Sequence, residues 1–471
     1  MLVFAGLLRL LAAVFSQGFL ASDDHHVVIT AADLIATGTA LPVTYARSAL
    51  LPGVIGAIMA VTRSIGLHDP GVEMLIVRLL QAAYSLLVVY FVYKILERSG
   101  RDSAMLGALL AAAFFAMPMT AVHQLEESVC VVPLLAALWW WQRSEARDQP
   151  SAVWGALAGA ALGIALLLRF PLIGFAAAFA GLVLIRPRPV TLADKAAFVG
   201  GLALVVVLQG YSNSLINHQW WYSFTQRLGA MLHPLRMAVD AEGYPSSPPW
   251  HYVLTLLAAL IPPVSILLLA AAVKGARRFP VLGIATLAFL VSHSLIANKQ
   301  ERFLLPILPV LFILMVAGLP WLAGRIAPAY RGMWWYFWTV NAALLFVLTF
   351  SFAKKDRVAP LLYVYRRHDA TGVLVAQYNQ TFHVPDYYLG RPRPPLLVLE
   401  GRETTPVEAR SVNYVILYSD TPENDRVFLE GQLNRKLTLL TVITPSLADR
   451  LAHAINPRHN KARTALIYTT L

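Results

Sequence analysis

Apolar stretches of about 16 to 23 residues recur along this chain, and that recurrence leaves it one class of architecture. They fall near residues 2 to 20, 74 to 93, 103 to 118, 125 to 142, 152 to 168, 170 to 185, 193 to 210, 251 to 273, 279 to 297, 303 to 324 and 333 to 352. About 20 apolar residues in a helix rise about 30 Å, the thickness of a bilayer's hydrocarbon core. Inside lipid each backbone N–H and C=O must be satisfied within the segment, so such stretches form a helical bundle. The mean hydropathy of +0.60 and a charged fraction of only 14% agree. The first segment also reads as a signal peptide, with Arg9 early and small residues at its end. On either reading the chain emerges on the far side of the membrane at Ser22. The apolar run Ser48 to Thr62 is closed by Arg47 and Arg63. It would rise only about 22 Å, and we expect an interfacial helix there.

The distribution of cations tests this count, because one added span reverses the side of each later loop. With the amino terminus in the cytoplasm, the cytoplasmic loops hold Lys94, Arg98, Arg101, Arg143, Arg147, Arg186, Arg188, Lys195, Lys274, Arg277, Arg278, Arg325 and Arg331. The external side after the second span holds Arg169, Arg227, Arg236, Lys299 and Arg302. The bias favours about eleven spans with the tail outside. The net charge of +12 therefore reports membrane orientation and gives no reason to invoke nucleic acid.

The expected architecture is an all-α polytopic membrane domain over residues 1–353, with a first external loop at 21–73, followed by an external soluble α/β domain over 354–471. In the tail, Leu396 to Leu399, Tyr414 to Tyr418 and Leu437 to Ile443 have strand patterns, and Asp425 to Leu433 and Ser446 to Ala454 have helical ones. The sole cysteine, Cys130, falls inside a span. Nothing in the tail has the spacing of a nucleotide loop or a metal cluster.

The run Asp23-Asp24-His25-His26 follows directly on the first span. A carboxylate pair at a membrane surface is a functional candidate, although such a run is also common as solvated surface. Adjacent histidines alone do not make a metal site, and we expect no metal. Glu126 and Glu127 at the external mouth of a span either line a site or only complement the first turn of a helix. Trp139-Trp140-Trp141 and Trp334-Trp335 suit aromatic-belt anchors. Trp220-Trp221-Tyr222, in a long external loop, fits a plain interfacial helix first, and otherwise offers faces that stack on a sugar or a prenyl chain.

These features resemble the GT-C membrane glycosyltransferases, and within them the family 22 mannosyltransferases of the GPI and dolichol pathways. The resemblance rests on the acidic pair in the first loop, the Arg47-Ser48 stretch before Pro52, and the late turn Asn298-Lys299-Gln300-Glu301-Arg302-Phe303 followed by Pro306 and Pro309. The departures are Ser22 for the family's proline, Asp24 for its glutamate, Asn298 for its histidine, and the added Gln300. The composition suggests a bacterial member, in the inner membrane with its loops and tail on the periplasmic side.

The resemblance implies transfer of a sugar, by default mannose, from a polyprenyl-phosphate donor to a lipid- or glycan-linked acceptor, with membrane lipids as further partners and no cofactor. It implies Asp23 or Asp24 as general base, and Lys299 and Arg302 stand at the depth of the donor phosphate; by position at the external face Arg169 is a further phosphate candidate, and His25, His26, Arg47, Glu126, Glu127 and Glu301 are candidates to support the site. Two rivals share parts of the pattern. One is a GT-C enzyme acting on protein or on lipid A, moving mannose or aminoarabinose. The other is a flippase of lipid-linked sugars, for which ionisable residues at mid-membrane and an internal repeat are expected.

Overall fold

The computed structural model describes residues 1–21, 24–145, 152–185, 191–232, 247–296, 298–379, 381–402, 411–455, 457 and 460–470. Asp23, and the loop cations Arg147, Arg186, Arg188 and Arg236, lie outside the described residues. The chain divides into two compact units that interleave along the sequence. The first comprises Met1–Leu10, Ala40–Leu51 and Gln81–Phe346, and the second Leu11–Thr39, Pro52–Leu80 and Val347–Leu471.

The apolar stretches form helices, and among the described residues four are long and apolar enough to cross a membrane: Pro70–Ser99, Leu192–Asn217, Glu301–Ala323 and Ala327–Thr349. Two expected spans are each a bent pair. Arg101–Ala113 and Ala116–Val122 meet at 60°, and His251–Ala259 and Val264–Gly275 at 112°, which brings the number to as many as six. The sharper bend falls at Pro262-Pro263, where two residues without an N–H interrupt the helical ladder. At the other break, Asn341 supplies the missing partners: its amide donates to Ala113 O at 2.7 Å, and Phe115 N donates to its Oδ1 at 2.8 Å. The stretches at 152–168, 170–185 and 279–297 form the shorter apolar helices Ala152–Leu168, Phe170–Ile185 and Pro280–Leu295. The run expected at the interface is the helix Leu50–Ser64.

Packing in the first unit depends on small residues. Gly155, Gly159 and Gly163 face the helix Leu192–Asn217, where a Cβ at Gly159 would overlap the carbonyl of Phe198. This is the close backbone approach that small residues permit between apolar helices. Thr191 and Asp194 close a reciprocal capping box at the start of the second of these helices. Arg9 is fully enclosed: its Nε donates to Ser85 Oγ at 2.8 Å and its Nη2 to Ala111 O at 3.0 Å. Of the expected belt tryptophans, Trp141 is instead buried against Phe198, while Trp335 is exposed.

The second unit contains a five-stranded sheet in the order β4-β3-β5-β7-β6. Strands β3 (Val373–Gln377), β4 (Leu396–Glu400) and β5 (Tyr414–Tyr418) are parallel. β7 (Ala465–Thr469) runs antiparallel to both β5 and β6 (Thr438–Ile443). Leu374, Val415, Leu417, Leu429 and Leu433 form its core with the helix Pro422–Leu433. A short parallel pair, β1 (Gln17–Gly18) with β2 (Phe352–Ala353), joins the early segment to the tail. The helix Lys355–Tyr365 and strands β3 and β7 had no counterpart in the sequence reading.

Candidate functional site

In the first unit, residues distant in sequence converge on two buried glutamates. Glu126 and Glu127 open the short helix Glu126–Val129, and each is at most 2% exposed. Arg47 donates to Glu126 Oε2 at 3.3 Å. Arg169 lies at the end of the helix Ala152–Leu168, where Pro171 ends the regular ladder. Its guanidinium is 3.1 Å from Glu127 Oε1 and 3.9 Å from Glu126 Oε2. Arg302 Nε stands 3.6 Å from the same Glu127 oxygen and donates to Gln300 Oε1 at 2.8 Å. Both Arg169 and Arg302 lie over the ring of Phe303, at 4.8 and 5.5 Å from its centre. Arg227, absent from the expected set, donates to Ala46 O at 3.3 Å and lies within electrostatic reach of Glu126, Arg47 and Arg169. Burial lowers its pKa below the ordinary guanidinium value.

Four guanidinium groups around two carboxylates leave a cationic excess away from bulk water, where an anion gains more than it would at a free surface. Beside Arg227 opens a cavity of about 160 Å³, walled mainly by apolar groups including Leu166, Leu167, Phe170, Val206, Trp221 and Phe224. Ser48, Gln209, Asn213 and Ser223 supply its polar points. Trp221 thus faces a cavity that also borders the cationic cluster at Arg227.

Lys299 and Glu301, also in the first unit, have other surroundings. Lys299 is buried, and burial lowers its pKa. Its ammonium donates to the carbonyls of Ser247, at 2.8 Å, and Ile296, which holds the turn. Glu301 is exposed at the start of the 3₁₀ segment Glu301–Ile307.

In the second unit, Asp24 begins the single π-helical turn Asp24–Ile29, which passes directly into the helix Thr30–Ala36. Isolated π turns are rare and concentrate at functional positions. His25 is buried, with its ring stacked on Phe19 and Tyr388 at centre distances of 5.1 and 5.3 Å. Burial, followed by the charges of His26 and Arg393, holds its pKa well below the ordinary imidazole value. His26 Nε2 lies 3.1 Å from His383 O.

Sequence reasoning missed a second charged hub in this unit. Asp33 pairs with Arg63 at 2.9 Å, Arg391 at 2.7 Å and Arg393 at 2.6 Å. Arg63 also grips Glu73 through two bonds of 2.7 and 2.9 Å, and the Tyr387 hydroxyl donates to Glu73 at 2.8 Å. Burial raises the Asp33 carboxyl, but hydrogen bonds from Arg391 and Arg63 and the charges of Arg391 and Arg393 bring it below its ordinary pKa. The available signal was a lone acid inside an apolar helical pattern, since such a carboxylate is rarely buried without a cation.

Residues 52–210 match the family model described as dolichyl-phosphate-mannose-protein mannosyltransferase. No curated protein matches the chain. Among solved structures, ArnT from Cupriavidus metallidurans bound to undecaprenyl phosphate aligns with a TM-score of 0.60 at 13% identity, covering 99% of this chain and 97% of that one. The apo state of the same protein gives 0.58 at 15% identity, covering 100% and 97%. The arabinofuranosyltransferase AftD from Mycobacteria gives 0.51 at 13%, covering 100% of this chain and 40% of its own. The chain therefore shares the fold of these ArnT structures over nearly its whole length.

Proposed function

We propose that this chain of GT-C fold transfers a sugar, by default mannose, from a polyprenyl-phosphate donor to a lipid- or glycan-linked acceptor. The observation that carries the reading is the cluster of buried Arg169 and half-buried Arg47, Arg227 and Arg302 beside an apolar cavity. A polyprenyl-phosphate sugar joins a phosphate to a long hydrocarbon, and the cluster and cavity offer each part its counterpart. The undecaprenyl phosphate in the similar ArnT structure supports a lipid of this kind.

In the reaction, an acceptor hydroxyl attacks the anomeric carbon as the bond from that carbon to the phosphate oxygen breaks. The electron pair leaves with the polyprenyl phosphate, whose growing charge Arg169 and Arg302 stabilise. A carboxylate of the pair Asp23-Asp24 takes the hydroxyl proton. Glu126 and Glu127 hold the arginines apart and aimed, while Lys299 fixes the turn that carries Arg302. The donor is itself the activated substrate, and the scheme uses no cofactor.

We place the reaction at the external face of a bacterial inner membrane, with the tail in the periplasm. The family model over residues 52–210 favours a second reading of the acceptor, a protein hydroxyl. The deciding experiment is single-turnover transfer by purified protein in lipid, with radiolabelled polyprenyl-phosphate mannose and either a membrane lipid extract or an acceptor peptide. Product that disappears with Asp23→Asn or Asp24→Asn, while donor binding persists, is the expected result. Product unaffected by both changes removes the acidic pair from the mechanism. Absence of product with any lipid-linked sugar, together with facilitated movement of that lipid across the bilayer, replaces transfer with flipping.

A further inference from the structure

The proposed chemistry leaves the Asp33 hub unused. Asp33 lies on the run that begins with the acidic turn, since Asp24–Ile29 continues into Thr30–Ala36 without a break. Its carboxylate is 2% exposed and meets three guanidinium groups, more than charge neutralisation requires. One connection of the tail, that between β3 and β4, supplies partners along this run. His383 O meets His26, Tyr388 stacks on His25, and Arg391 and Arg393 reach Asp33. Arg393 is itself braced by Asp386 on the same connection. The run is therefore fastened at both ends by 383–393, beside the π turn whose geometry is uncommon in a free helix.

We propose that the β3–β4 connection, acting through Arg391 and Arg393 on Asp33, is the positioning element for the acidic turn, so that the C-terminal domain sets turnover and not donor affinity. This rests on the acidic pair being the base. Arg391 and Arg393 are positioning residues: they touch the segment that carries the base and hold its orientation. A displacement of about 1 Å at a reacting group costs about a hundredfold in rate, while a phosphate site built elsewhere in the sequence keeps its affinity.

The test uses the full chain in lipid nanodiscs with radiolabelled polyprenyl-phosphate mannose. Asp33→Asn strips a buried carboxylate from three guanidinium groups and endangers the fold, so Arg391→Gln combined with Arg393→Gln carries the experiment. Turnover is expected to fall about a hundredfold with donor KM within about twofold of native. Amide exchange should accelerate across residues 25–36 and stay unchanged across 126–145. Arg391→Lys with Arg393→Lys keeps charge without the forked geometry and should recover about a tenth of native turnover. Arg426→Gln, which removes an exposed pair elsewhere in the same domain, should change neither readout.

Turnover within threefold of native in the double Gln variant overturns the proposal. So does a rise in donor KM that parallels the loss of turnover, or unchanged exchange over 25–36. A native chain without transfer activity removes the proposed function, and exchange then decides the anchoring alone: faster exchange confined to 25–36 supports it, and unchanged exchange overturns it.

Discussion

Replacing Arg169 or Glu127 changes the charge of one buried cluster in opposite directions, and the two variants should move donor affinity in opposite directions. Arg169→Gln removes a cation whose side chain is only 8% exposed, and Glu127→Gln removes an anion at 1% exposure. For a lipid phosphate about 6 Å from either position, the Coulomb term at an effective dielectric constant of about 20 is about 3 kcal/mol. Partial relaxation of the neighbouring arginines reduces this, leaving about tenfold to a hundredfold in Kd. Arg169→Gln should therefore weaken binding of undecaprenyl phosphate by that factor, and Glu127→Gln should tighten it. The assay is competition against a fluorescent polyprenyl phosphate in nanodiscs at two salt concentrations, with elution volume and helical circular dichroism as checks of folding. A buried site predicts only a small salt effect on both changes. Weakening by both variants, with folding intact, would refute the reasoning, because it would mean that Glu127 acts through shape and not through charge.

A Cβ at Gly201 overlaps the carbonyl of Ala156, whereas Gly200 faces open space, so Gly201→Ala should cost about 1–3 kcal/mol in thermal unfolding while Gly200→Ala costs nothing. Asn341→Leu leaves the Ala113 carbonyl and the Phe115 amide unsatisfied at the 60° bend, a loss of about 2–4 kcal/mol readable as a lower midpoint in detergent. His25 is held neutral when folded, with its pKa below the ordinary imidazole value of 6.5, so it binds a proton more readily when unfolded. Its contribution is complete above that value and is lost as pH falls below it; His25→Phe should flatten the acid limb of amide exchange across residues 25–36.

Most of the candidate chemistry was legible as residue types near span ends. Arg169, Glu126 and Glu127 stood out because charges at the boundary of an apolar run need a reason. Arg47 and Arg302 stood in stretches similar to family motifs. Arg227 looked like one more loop cation, because its place beside Glu126 depends on how the segment Ala40–Leu51 packs in the first unit. Lys299 matched a motif, yet its ammonium is satisfied by two carbonyls, which no spacing rule reports.

Periodicity of hydrophobicity by itself determined that the chain is a helical membrane protein with a mixed tail, because apolar runs of about 20 residues satisfy their backbone in lipid as helices and because short apolar runs such as Tyr414–Tyr418 mark strands. It did not determine which apolar stretches are whole helices. The break at 113–116 rests on Asn341, far away in sequence, whereas the one at 260–263 falls at the local Pro262-Pro263. Nor did it reveal that Asp33 belongs with Arg391 and Arg393, since ion pairs spanning some 360 positions leave no local trace. Local pattern reports what a segment must bury, and only the tertiary structure decides against which partner.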